Sequence, residues 1–320
     1  MAELSKTVKL EKTKHKKTTI RAKIAEDFKK HRTIYIMVIP VLLYYLIFHY
    51  GPMFGIVIAF KDYRPGRGIW GSDWVGMKHF IDFLTSQYFW RLVKNTLFIN
   101  FYNLLIGFPA PIILALLLNE VRSRKFKRTV QTVTYMPHFI SAVVVAGIIV
   151  DLVGTDGLIN DLLAFIGFQR KNLLAVSALF RPIFVGSNIW QNIGWGTIIY
   201  LAALSGINPN LYEAADIDGA GRFKKIWHVT LPGIAPTITI LLIMRIGRMM
   251  HLGWEKIILL YNPIIYDTAD VISTFVYRRG LEEADFSYST AVGLFNAIIN
   301  FSLLIMANKV SKKLSETSLW

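Results

Sequence analysis

Three sets of polar residues fall inside long apolar runs, where a polar side chain is costly and usually faces a cavity. Arg245 and Arg248 stand three apart, which on a helix puts them on one face. Two guanidiniums so placed suit a carboxylated sugar; they also suit snorkelling to the membrane interface, or pairing with a second subunit. Trp190, Gln191, Asn192 and Trp195 crowd another run. Indole faces and amides serve sugars well, because a sugar ring has an apolar face and a hydroxyl edge. The same residues also fit interfacial tryptophan with hydrogen bonds between helices. Asn296 and Asn300, four apart on one face, read first as polar glue between helices and second as part of a polar path.

No set for bond chemistry emerges. His138 beside Ser141, and Asp267 near Asp270, lack a third partner at a readable spacing. The chain has no cysteine, which removes thiolate metal sites and cysteine nucleophiles, and no other metal-ligand set is read. It has no Gly-x4-Gly-Lys-Ser/Thr phosphate loop, so it carries no nucleotide site of that kind.

The elements that position these residues are expected to be membrane spans. Of 320 residues, 53% are apolar and only 18% charged, against about a quarter charged in soluble domains. Mean hydropathy is +0.42. The net charge of +15 sits in the N-terminal tail and between apolar runs, not in a folded basic surface of the kind that binds nucleic acid. A bilayer core of roughly 30 Å takes about 20 helical residues. Six segments qualify, near 34–58, 97–118, 135–153, 183–204, 234–252 and 290–310. Gly51-Pro52 is expected to interrupt the first; Pro109 and Pro111 lie inside the second.

The domains are then a basic tail, 1–33, and a transmembrane domain, 34–320. The tail is too long and too charged for a cleavable signal. Ile20, Ile24 and Phe28 recur every four residues among cations, the pattern of a short interfacial helix; a solvated tail fits equally. Residues 1–33, 119–134, 205–232 and 309–320 carry 22 Lys and Arg, against 12 in 61–94, 154–181 and 255–289. That excess places the first set, with both termini, in the cytoplasm. On the other side, Trp70, Trp74, Phe80, Phe83, Tyr88, Phe89 and Trp90 suggest a lid with interfacial aromatic anchors.

The loop between the fourth and fifth spans is the most informative stretch. Asn208 suits a cap and Pro209 a first helical turn. Leu211, Ala214, Ala215 and Ile217 make a weakly apolar face with Glu213, Asp216 and Asp218 as its charges. Gly219 and Gly221 bend the chain, a second short helix covers Phe223 to Val229, and Pro232 is expected to stop it at the membrane. Small alanines admit a close neighbour and an exposed glutamate offers it a charge, which describes a docking helix.

The spacing Glu213-Ala214-Ala215, Gly219, Val229, Leu231-Pro232 resembles the EAA motif of binding-protein-dependent ABC permeases, with Val229 where isoleucine is common. Phe48–Met53, Ala59–Tyr63, Trp74–Gly76, Asn95-Thr96, Ala115–Glu120, Tyr135–Ser141 and Ala291–Phe295 resemble the oligosaccharide (aldouronate-type) permease subfamily, over roughly residues 33–320.

The resemblance implies an all-α fold of six transmembrane helices, the type I importer permease, with a cytoplasmic coupling helix. It implies a multi-pass protein of the bacterial cell membrane that pairs with a second permease, usually a different one. Two cytoplasmic ATPases would hold ATP and Mg, and an extracellular binding protein would deliver an oligosaccharide; this chain binds no cofactor. Glu213 would pair with the ATPase, Ala214 and Ala215 permit close packing, and Gly219 allow the turn, with Asp216, Leu231 and Pro232 completing the coupling set. The two arginines lean toward an acidic sugar. The alternative is an ion-coupled secondary sugar transporter, which would want a buried acid within a span. The acidic candidates near spans, Asp151 and Glu255, sit at their ends.

Overall fold

The computed structural model describes residues 27–315 and 318–319; Ile20 and Ile24 of the expected interfacial helix lie outside them. The chain divides after Gly55 into two compact units. In the first unit a helix, Arg32–Tyr45, leads into a π turn, Leu46–Tyr50, and neither buries a side chain. A helix apolar on every side and buried on none is one whose solvent is lipid or another chain.

Helical structure continues to Phe60 without a break, so Gly51-Pro52 does not interrupt the span. The reason recurs along the chain. Three of the π turns sit just ahead of prolines: Leu46–Tyr50 before Pro52, Asn103–Gly107 before Pro109, Ile226–Thr230 before Pro232. Proline lacks an N–H and its ring collides with the carbonyl four residues back. Widening the ladder by one residue relieves that collision, and the helix runs on. Pro232 therefore does not stop the second loop helix. Arg222–Ile246 is one helix of 25 residues, just as Phe89–Glu120 is one of 32.

Among the described residues five helices are long and apolar enough to cross a membrane: the three just named, beginning with Arg32–Phe60, and Ala142–Phe165 and Phe286–Lys313. The segment expected near 183–204 lies within a 29-residue helix, Ser177–Ser205, whose length suffices but whose Asn188, Gln191 and Asn192 dilute its apolar character. The helix expected from Tyr135 begins at Ala142 instead. Pro137 sits in a 3-10 turn, Met136–Phe139, and Ser141 caps the new helix by accepting from Val144 N at 3.4 Å. The fifth span ends at Ile246, and Gly247 to Met250 form a turn.

Ser177–Ser205 is the central element of the second unit. It packs against Pro109–Glu120, Arg124–Tyr135 and Leu231–Ile246. Gly194 permits the closest approach: a Cβ there would collide with the Thr134 carbonyl and the Tyr135 ring. We expect Gly194→Ala to push these helices apart and cost about 1–3 kcal/mol, read as a lowered Tm in nanodiscs. Gly186→Ala, where a Cβ meets nothing within 4 Å, should leave Tm unchanged.

Between the fifth and sixth spans the chain folds back on the bundle and is tied there by Asp270, which is fully buried. Its carboxylate accepts from Arg91 Nη2 at 3.1 Å, Arg278 Nη2 at 2.9 Å and Thr274 Oγ1 at 2.9 Å. Its backbone carbonyl accepts from Asn95 Nδ2 at 2.9 Å, and Asn95 Oδ1 accepts from Arg181 Nη2 at 2.8 Å. Asp270 thus joins Phe89–Tyr102, Ser177–Ser205 and Ile272–Tyr277. The aromatic set of 61–94 divides. Trp70, Trp74 and Trp90 are exposed, whereas Phe80 and Phe83 are buried. Phe83 packs on Phe275, Tyr288 and Phe295, so it belongs to the core and not to an interfacial anchor.

Candidate functional site

A cavity of about 580 Å³ opens between Phe89–Glu120, which lines it with Asn100 and Asn103, and Ser177–Ser205, the end of Leu231–Ile246 and the helix Trp254–Leu260. That volume lies within the usual range for small-molecule sites, about 300–1,000 Å³. Asn188 and Asn192 line it from Ser177–Ser205, Arg245 from the end of Leu231–Ile246 and Arg248 from the turn after it, and Glu255 and Lys256 from Trp254–Leu260. The two arginines meet at the cavity by a different route from the shared helix face expected of them. The helix has ended at Ile246, and Arg248 lies in the turn that follows, its N–H donating to the Arg245 carbonyl at 3.1 Å. Gly247 at the helix C-cap releases the chain there.

Lys256 is buried, yet its Nζ reaches no carboxylate among the described residues. It donates to Asn188 Oδ1 at 3.0 Å and to Gln191 Oε1 at 3.2 Å. Burial pushes its pKa down to about 8. Gln191 in turn donates from Nε2 to the Ile140 carbonyl at 3.3 Å. Asn192 Oδ1 is hydrogen-bonded to His138 Nδ1 at 3.0 Å, and the His138 ring stacks on Trp195 at 4.5 Å between centroids. Asn192 in the lining and Gln191 behind it are therefore held by the Met136–Ser141 segment, which fixes their orientation.

The second site is the loop 205–232. Asn208 Oδ1 accepts from Asn210 N at 3.0 Å and Pro209 opens a nine-residue helix, Pro209–Ile217, in which no residue is buried. Gly219 stands at φ +70°, the left-handed region. Its N–H donates to the Asp216 carbonyl at 3.0 Å, and Ala220 N donates to the Ala215 carbonyl at 2.9 Å. That pair of bonds is a Schellman stop, and it turns the chain sharply. Asp216 pairs with Lys225, and the Tyr212 hydroxyl meets Thr230 Oγ1 at 3.0 Å, so the helix is braced against Arg222–Thr230. Both ends of the loop enter one apolar cluster, where Leu204 and Ile234 are buried and Ile207 and Leu231 pack on them. The outer face carries Glu213, Ala214, Ile217, Phe223 and Trp227, with Ile217 88% and Phe223 89% exposed. A rigid, anchored loop with bare apolar side chains around a glutamate is a surface built for a partner.

Residues 107–316 match the family of binding-protein-dependent transport system inner membrane components. The chain belongs to that family. It is a transport permease component of an ABC importer. Among its relatives, the polygalacturonan/rhamnogalacturonan transport system permease protein YteP of Bacillus subtilis is 48% identical over 91% of each chain. Protein LplB of Bacillus subtilis is 46% identical over 91% of this chain and 92% of its own. A chain in the crystal structure of a bacterial ABC transporter involved in the import of the acidic polysaccharide alginate is 44% identical, with a TM-score of 0.85 over 92% of this chain and 99% of that one.

In this permease the cavity gathers Asn192, Arg245 and Arg248 from the residues read in the sequence. Gln191 stands behind it, as a partner of Lys256. Trp190 and Trp195 are half exposed outside the lining; Asn300 Oδ1 accepts from Met250 N at 2.9 Å, and Asn296 is not in the lining either. His138 and Ser141 have structural partners, as do Asp267, which accepts from Ser177 Oγ at 2.9 Å, and Asp270. Sequence reasoning missed Asn188 and Lys256. The available signal was a lone lysine in the largely apolar run Trp254–Leu260.

Proposed function

We propose that this permease pairs with a second permease to form the path by which an oligosaccharide, of acidic type, enters a bacterial cell. The loop 209–232 docks one of two cytoplasmic ATPases that bind ATP and Mg, and an extracellular binding protein delivers the sugar. The observation that carries the reading is the braced helix Pro209–Ile217, bare on its outer face and anchored at both ends in the bundle. Such an element transmits movement between two states and does no bond chemistry itself. The cation excess of the loops supports a cytoplasmic position for it and for both termini. The acidic character of the cargo is supported by the three cations of the cavity, set against Glu255. It agrees with relatives named for polygalacturonan/rhamnogalacturonan transport and alginate import.

The test is uptake into proteoliposomes holding this chain, its partner permease and the ATPases, with the binding protein outside. Uptake should require enclosed ATP and the binding protein. Uptake driven by a proton or sodium gradient without ATP would overturn the reading in favour of a secondary transporter.

A further inference from the structure

The least expected group in the cavity is Lys256. It is only 8% exposed, so its ammonium has given up most of its water. Burying a charge is costly unless it is paired, and here the partners at 3.0 and 3.2 Å are two neutral amide oxygens. The Phe184 ring, 5.9 Å from Nζ, adds a weak attraction. Two amides hold an ammonium in place without neutralising it, and its third proton has no acceptor among the described residues. Around the same space stand Arg245 and Arg248, neither with an ion-pair partner among the described residues. Glu255 lines the cavity without pairing to any of the three, and His251 lines it as well. The cavity therefore holds more fixed positive charge than its own residues compensate, with the most buried cation aimed by hydrogen bonds.

We propose that Lys256 is a specificity-determining residue of this permease, which reads a carboxylate of the passing saccharide and makes the cavity select uronate over neutral sugar units. The inference rests on the importer reading above. A carboxylate entering the cavity takes the free proton position of Lys256, while hydroxyls of the same sugar face Asn188 and Asn192. A neutral sugar recovers the hydrogen bonds and leaves the ammonium uncompensated. Selection thus comes from the unpaired charge, which disfavours the wrong cargo as much as it favours the right one.

The experiment uses the complete transporter in nanodiscs without the binding protein, titrated by calorimetry with trigalacturonate and with its trimethyl ester, which has the same skeleton and no charge. The wild type should bind the acid about tenfold or more tightly than the ester, the scale of one charge-assisted hydrogen bond. Lys256→Met should bring the two affinities together, the acid weakening and the ester tightening as the uncompensated charge goes; Lys256→Arg should keep most of the preference. Asn188→Asp supplies a counter-ion from within while adding a buried ion pair, so it should abolish the preference with Tm maintained, even where Lys256→Met folds poorly. Acid and ester weakening together in Lys256→Met, an acid preference that survives Asn188→Asp, or no preference in the wild type would each overturn the proposal. ATP-driven uptake by the wild type, measured in parallel, separates the two levels. Saccharide uptake without acid preference in the cavity sinks only the role of Lys256; no ATP-driven saccharide uptake sinks the importer reading itself.

Discussion

Glu213→Arg is expected to abolish ATP-driven uptake while leaving the permease folded and the binding protein still able to dock. Glu213 is exposed, and among the described residues it has no ion-pair partner, so reversing its charge removes nothing the fold uses. At a docked interface a like-charge contact costs several kcal/mol, so ATPase stimulation should fall on the order of a hundredfold. Gly219→Pro should give the same loss by another route. The left-handed φ of +70° is closed to proline, and the bond from Gly219 N to the Asp216 carbonyl disappears. Gly219→Ala carries the milder strain of about 1–2 kcal/mol, with nothing within 4 Å of its Cβ to add a clash. Its uptake should fall between wild type and Gly219→Pro. Stimulated ATPase activity and uptake that survive Glu213→Arg would show that this helix is not the grip.

Asp270→Asn is the substitution expected to damage stability most. The carboxylate is fully buried and accepts from two guanidiniums and a hydroxyl. Neutralising it leaves Arg91 and Arg278 facing each other without a counter-ion, and removing one member of a buried pair costs about 3–5 kcal/mol. Thermal unfolding in nanodiscs should show a large fall in Tm, with loss of the region that folds back between the fifth and sixth spans. Replacing a single arginine should cost less, because Asp270 keeps the other. Arg278→Met should be the worse of the two, since Arg278 is 20% exposed and Arg91 32%. A Tm within a degree or two of wild type for Asp270→Asn would show that water already satisfies this carboxylate.

The local structure of the loop 208–219 was legible in the sequence because its features are short-range. A cap at Asn208, a proline at the first turn and a glycine past the last one each act within a few residues, and the structure shows all three at those positions. Apolar length worked for the same reason. The bilayer needs about 20 residues whatever they pack against, and the polar Ser177–Ser205 helix is the one segment where that measure alone falls short.

The prolines and the arginines were harder. Whether a proline stops a helix depends on whether the ladder ahead of it can widen, and the π turns before Pro52, Pro109 and Pro232 do so. Arg245 and Arg248 were matched by their spacing, yet the helix ends between them, and it is the turn that aims the second. Hydropathy and short-range caps are written in neighbouring residues, so the apolar solvent, the family and the local turns of the loop could be read from them. Which polar groups share a cavity depends on the packing of segments far apart in the chain. Lys256 meets Asn188 across 68 positions of chain, and no spacing rule reaches that far.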